Sequence, residues 1–306
     1  MKKIFIYFLA VGFLLETSCD DSLEITAAHD FDIVIEKSTY AVDEEITFQL
    51  SGEPGIITFY SGEIGCDYEY RNGRIVPPGE ATLSFNNRVI YGTQPNQFSV
   101  LASTDYSGLR NIDAIKSAKW IDITDRFTLA TTDAYVPAGV ADLADVVAEG
   151  MPLYIAFRFI QDPATNAAPR TWNINNLALT SITTIGATLL ANHLTGGFEL
   201  FYVGPKETSG RSSVASGSIT LRANSNWSSV PAYTEDWCVS KGFDFGAKDL
   251  GPDRPVKVKG NSDAKTETFT YSYTKPGTYK AYFVATNATI KEQETIIKEV
   301  TIEIIP

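Results

Sequence analysis

The 306-residue chain sets 37 acidic side chains against 25 basic ones, giving a formal charge of −12 and a pI near 4.7. Such a surface repels nucleic acid and anionic lipid, and it disfavours sulfated polyanions unless a local basic patch overrides it. With His29 and His193 as the only histidines, and no HExxH or CxxC pattern, zinc sites built on His and Ser-His-Asp triads have almost no material to form from.

The chain opens on Lys2-Lys3 and a run of apolar residues from Ile4 to Leu15. Twelve residues make a helix of about 18 Å, short of the roughly 30 Å hydrocarbon core, so the segment reads as a secretory signal and not as a permanent span. Thr17-Ser18-Cys19 resembles a bacterial lipobox, in which the cysteine is acylated and becomes the new N-terminus. The usual Leu three places before the cysteine is replaced by Glu16, with Leu15 one place earlier, a looseness that resembles the lipobox of Bacteroidetes. Asp20-Asp21 resembles the export signal that carries such lipoproteins to the cell surface. The resemblance implies an outer-membrane protein, lipid-anchored at Cys19 and facing the exterior. Removing residues 1–18 takes away two Lys and one Glu, leaving 288 residues and a charge of −13, enough chain for two domains.

After a polar tether over residues 19–30, strand signals begin. Ile46, Phe48 and Leu50 alternate with Thr47 and Gln49, as a half-buried strand requires, and Ile56-Ile57-Thr58-Phe59-Tyr60 is a second apolar run ended by Ser61-Gly62. The same texture returns near the end. Phe269, Tyr271 and Tyr273 alternate with Thr and Ser, Lys275-Pro276-Gly277-Thr278 fits a type II turn, and Tyr279–Ala285 and Val300, Ile302 and Ile304 follow as strands. "STYAVDEEITFQLSG" resembles the first strands of a PKD-type immunoglobulin-like sandwich, and "FTYSYTKPGTYKAYFVATN" resembles its last hairpin. The halves lie nearly two hundred residues apart, so the expectation is one sandwich over 31–73 and 243–306, interrupted by a second domain over 74–242.

The interrupting segment reads as another all-β sandwich. "AKWIDITDRF", "PLYIAFRFI", "RTWNINNLAL" and "GSITLRANSNW" supply short strands, and Ala141–Glu149 is the one helix expected. Strands of 5–8 residues with no 3.6-residue periodicity point to a jelly roll. "STDYSG…AKWIDIT…YIAFRF…RTWNINNL" resembles the galactose-binding-like jelly rolls of surface carbohydrate-binding modules. Over nearly its whole mature length, with "ITFYSGE" at Ile57–Glu63, the chain resembles an uncharacterised family of Bacteroidetes surface lipoproteins, domain of unknown function 5017. That resemblance names no activity. The jelly-roll resemblance implies a non-catalytic glycan-binding accessory, working beside a TonB-dependent importer and its companion lipoproteins; the competing reading is a structural or adhesive protein that binds another protein.

Sugar binding needs flat apolar surfaces for pyranose faces and polar groups for the hydroxyls. Trp120 and Trp172 fall in strand patterns and are expected in the core. Trp227, after Asn226 in a polar loop, is either a ligand platform or a lid on the local core, and Tyr233, Glu235 and Trp237 follow it in "PAYTEDWCVS". Trp227, Tyr233, Trp237, Asn226 and Glu235 are therefore the candidate ligand contacts, with Trp237 in a strand pattern and the most prone of them to burial. Asp105 in "STDYSG" is the kind of loop carboxylate that holds a structural Ca²⁺ in jelly rolls, but one carboxylate without a DxDxDG pattern more commonly caps a turn, so no dedicated metal site and no cofactor are expected. No nucleophile elbow or phosphate loop occurs, and acidic pairs cannot be told apart by spacing, so an enzyme is not expected. Cys66 and Cys238 flank the interruption. They are either a disulfide pinning the inserted domain to its host or separate buried thiols.

Overall fold

The computed structural model describes residues 30–206, 211–224, 232–288 and 292–306. The fold is all-β and divides into two compact units, residues 1–73 with 252–306, and residues 74–251. Cys19, Asn226 and Trp227 lie outside the described residues.

In the first unit a three-stranded sheet, ordered Asp32–Ile35, Ile46–Ser51 and Thr268–Tyr271, faces a five-stranded one, ordered Val256–Lys259, Ile56–Tyr60, Gly277–Ala288, Gln293–Ile305 and Thr39–Ala41. All pairings are antiparallel except Thr39–Ala41 with Gln293–Ile305. The period-2 patterns aim Ile46, Phe48, Ile57, Phe59, Phe283, Ile302 and Ile304 into one core. The segment Ser61-Gly62-Glu63 has a structural job in this unit. The Tyr273 hydroxyl donates to the Ser61 carbonyl at 2.7 Å and the Tyr271 hydroxyl to Glu63 Oε2 at 2.6 Å. Gly62 sits at φ +82°, and a Cβ there would lie 2.6 Å from the Lys280 carbonyl oxygen, so only glycine fits.

The second unit is a sandwich of a five-stranded and a six-stranded sheet. The first runs Glu199–Val203, Thr234–Val239, Tyr154–Gln161, Phe98–Ser103 and Ile121–Asp122. The second runs Ser213–Val214, Ile219–Arg222, Thr171–Thr183, Glu80–Ile90 and Val136–Asp142, with Gly186–Ala191 also paired to Thr171–Thr183. Between them lie Leu83, Phe85, Phe98, Phe157, Phe159, Ile174 and Leu221. Trp172 joins this core as expected, its ring stacked 4.9 Å from Phe98.

Two expectations are corrected, and the alternative left open for the two cysteines is decided. Residues 243–251 belong with the second unit and not the first: Phe243 and Phe245 are buried in its core, and Lys248–Asp249 pairs with Ile75–Val76. The expected helix at 141–149 is a strand end and turns, because Asp142 and Ala141 pair with Thr82 and Leu83 while Leu143 and Val146 plug the core. Tertiary pairing here overrides the helix-forming residues. Among the described residues the α-helix is instead Ile112–Ser117, capped by the Asn111 side chain accepting from the Ala114 N–H at 2.8 Å. Finally, Cys66 and Cys238 are both free. Cys238 faces the core of the second unit with no exposure, which pushes its thiol pKa far up and leaves it inert.

Candidate functional site

The site lies on the outer face of the five-stranded sheet in the second unit. Strand alternation sends Cys238 of Thr234–Val239 inward and Trp237 and Val239 outward. Register then places Arg158 of the neighbouring strand directly between Trp237 and Ser99. An excursion from Ser103 to Ile121, carrying the short helix, covers part of this face: Ile115 is fully buried and packs with Leu101, Ala156, Tyr106, Trp237 and Val239. The excursion ends at Trp120, whose indole N–H donates to the Ile115 carbonyl at 2.8 Å. That bond fixes the Trp120 ring 5.7 Å from Trp237, tilted by 48°.

What remains open beside the helix is a concavity of about 420 Å³ lined by Leu101, Lys116, Ala118, Trp120, Asp122, Arg158, Glu235 and Trp237. Glu235 organises it. Its Oε1 accepts from Lys116 Nζ and from the Tyr233 hydroxyl, each at 3.1 Å, and its Oε2 accepts from the Trp237 indole at 2.7 Å. Burial alone would raise this carboxyl, but the bonds from Trp237, Lys116 and Tyr233 outweigh it and hold Glu235 below the usual carboxylate range. Burial first, and then the Glu235 charge, raise the Tyr233 hydroxyl, so it stays a neutral donor. Asp122 is engaged too, its Oδ1 accepting from the Thr124 N–H at 3.0 Å and from its hydroxyl at 2.5 Å. A general acid for glycoside cleavage needs a raised pKa, and Glu235 is shifted the opposite way.

Of the residues singled out from the sequence, Tyr233, Glu235 and Trp237 are brought together here. Their parts differ. Tyr233 is 47% exposed and offers a ring to solvent, whereas Trp237 is only 4% exposed and serves as the floor under Arg158, whose guanidinium lies 5.4 Å from its ring centre. Trp120, expected in the core of a strand, precedes its strand and forms a half-exposed wall of the concavity. Asp105 is a turn residue, its Oδ2 accepting from the Lys119 N–H at 2.8 Å. Among the described residues no group of three or more His, Cys, Asp or Glu is arranged to hold a metal.

Sequence reasoning missed Lys116, Asp122 and Arg158. Arg158 left a readable signal: in "YIAFRFI" the inward residues are Ile155, Phe157 and Phe159, so an Arg in step with Tyr154 and Ala156 marks a functional or covered outer face. Lys116 and Asp122 left none, because their approach depends on the path of the 103–121 excursion.

No curated protein and no solved structure matches the chain. Residues 18–198 match the family model described as Domain of unknown function (DUF5017), a span that includes Lys116, Trp120 and Arg158 and stops before Glu235 and Trp237. That match covers more than half of the 306 residues, and the chain belongs to this family.

Proposed function

We propose that this chain is a non-catalytic, cell-surface lipoprotein that captures glycan. Cys19, outside the described residues, carries the lipid, and Asp20-Asp21 directs the protein to the outer face of the outer membrane of a Bacteroidetes cell. The first unit acts as a PKD-like spacer and the second as a galactose-binding-like jelly roll, delivering captured chains to a TonB-dependent importer. The observation that carries the reading is the concavity: a partly exposed indole wall at Trp120, a tyrosine at its edge, and a carboxylate, an ammonium and a guanidinium within reach of hydroxyls. That is the mixture of apolar face and convergent polar groups that sugar rings require. The engaged state of Glu235 and Asp122 supports capture without cleavage.

Electrophoresis through gels containing single polysaccharides tests the proposal. At least one glycan is expected to retard the mature protein, and Trp120→Ala to weaken that retardation about tenfold while leaving the circular dichroism unchanged. Retardation by no glycan would favour the adhesive alternative, in which the sandwiches present a surface to another protein. Labelled palmitate is expected to enter the wild-type protein and not a Cys19→Ala variant; equal labelling would reject the anchor.

A further inference from the structure

Arg158 is placed unlike any other charge in the concavity. Lys116 is paired with Glu235 at 3.1 Å, and Asp122 is held by Thr124. Among the described residues the Arg158 side chain makes no ion pair; its one hydrogen bond there is long, 3.4 Å from Nη2 to the Ser99 hydroxyl, and its Nε is buried without a partner. A guanidinium presents five donors in a planar fork, and leaving them unmatched in a half-buried site costs stability that a bound anion would restore. The guanidinium lies over the Trp237 ring, 5.4 Å from its centre, and Arg158 lines the concavity, where its remaining Nη donors have no partner among the described residues. Lys116, 47% exposed at its side chain, stands at the rim with its charge already met by Glu235, so Arg158 is the cation left to receive an anion.

We infer that this concavity takes an acidic sugar, with the carboxylate of a uronic acid received by Arg158 and the ring resting against Trp120. The inference rests on the glycan-capture reading and narrows it. The net charge of −12 does not oppose it, because exposed charges beyond about 8 Å are screened at physiological salt, whereas contact with Arg158 is not, and the Glu235 charge in the same concavity is met by Lys116. A planar, two-oxygen carboxylate matches the fork edge-on, which favours uronate over a single-point contact.

Isothermal titration of the mature protein with oligomers of galacturonate, mannuronate and a glucuronate-containing chain, each beside its carboxyl-reduced neutral counterpart, tests this. At least one uronate is expected to bind, with its reduced counterpart about tenfold or more weaker. Arg158→Gln is expected to remove that difference, and Arg158→Lys to restore part of it, since the charge returns without the fork. Equal affinity for an acid and its reduced form, or an unchanged preference in Arg158→Gln, would overturn the inference while leaving glycan capture standing. Tighter binding of a sulfated oligomer than of any uronate would overturn the carboxylate assignment. If no glycan of any kind binds, here or in the gels, both readings fall.

Discussion

Phe59→Ala is expected to cost the first unit about 3–5 kcal/mol, the largest loss from any single truncation in that unit. Phe59 is fully buried, and its ring centre lies 5.5 Å from Phe48, 5.0 Å from Phe269, 5.0 Å from Tyr271 and 4.8 Å from Phe283. It therefore touches rings from both sheets. Removing it takes away the transfer free energy of a phenyl group and opens a cavity between two β-layers whose backbone ladders resist collapse. The tilted ring contacts add about 0.5–1.5 kcal/mol per pair beyond area alone. Val34→Ala, at a site 61% exposed, is the control and should stay within about 0.5 kcal/mol. Urea midpoints of the two variants against wild type check both values; a Phe59→Ala midpoint indistinguishable from that of Val34→Ala would contradict the packing described.

Asp236→Asn is expected to stabilise the second unit at neutral pH and to do nothing at pH 4. The Asp236 side chain has no exposure, and it accepts hydrogen bonds from the Ser212 hydroxyl and the Asn224 amide. Burial pushes its carboxyl up to about 6, against the lowering pull of the Ser212 and Asn224 bonds and of the Lys206 and Arg211 charges. The sign follows from linkage. Between the unfolded value near 3.8 and about 6 the folded state holds the extra proton, so stability falls as pH rises through that window and is flat above it. The fall amounts to roughly 3 kcal/mol. Asparagine mimics the protonated carboxyl, and the Ser212 hydroxyl can turn its proton to the Arg222 carbonyl, 3.2 Å away, so no partner is lost. The difference between variant and wild type cancels every other titration. Chemical denaturation at pH 4, 5, 6 and 7.5 should show that difference opening between pH 4 and about 6; a constant difference, or one that closes, would contradict the assignment.

The legible parts of this chain were those decided by local alternation. Ile46–Leu50, the Ile56–Tyr60 run and the Tyr279–Ala285 strand declare a buried face every second residue, and the all-β class follows from such segments. The return point of the interruption was misplaced because Phe243 and Phe245 look the same in sequence whichever core they enter. The helix was misplaced because Ala141–Glu149 has good helix formers and Asn111–Ser117 only a short capped turn; strand pairing to Thr82 decided the first and packing on Leu101 the second. The site was half legible. "YTEDW" places Tyr233, Glu235 and Trp237 two apart, so strand alternation aligns them on one face, where Glu235 bonds to both. Trp120 and Lys116 arrive from a different part of the chain by a path that no local pattern encodes.

The indole N–H resonances of ¹⁵N-labelled protein test the central claim most directly, since Trp120, Trp172, Trp227 and Trp237 are its four tryptophans. Titrating in the glycan that retards the protein should move the Trp120 and Trp237 signals together and leave Trp172, sealed against Phe98, in place. Signals from Trp120 and Trp237 that stay fixed while the glycan saturates the protein, or a shift confined to Trp227, would mean that the concavity beside Arg158 is not where it binds.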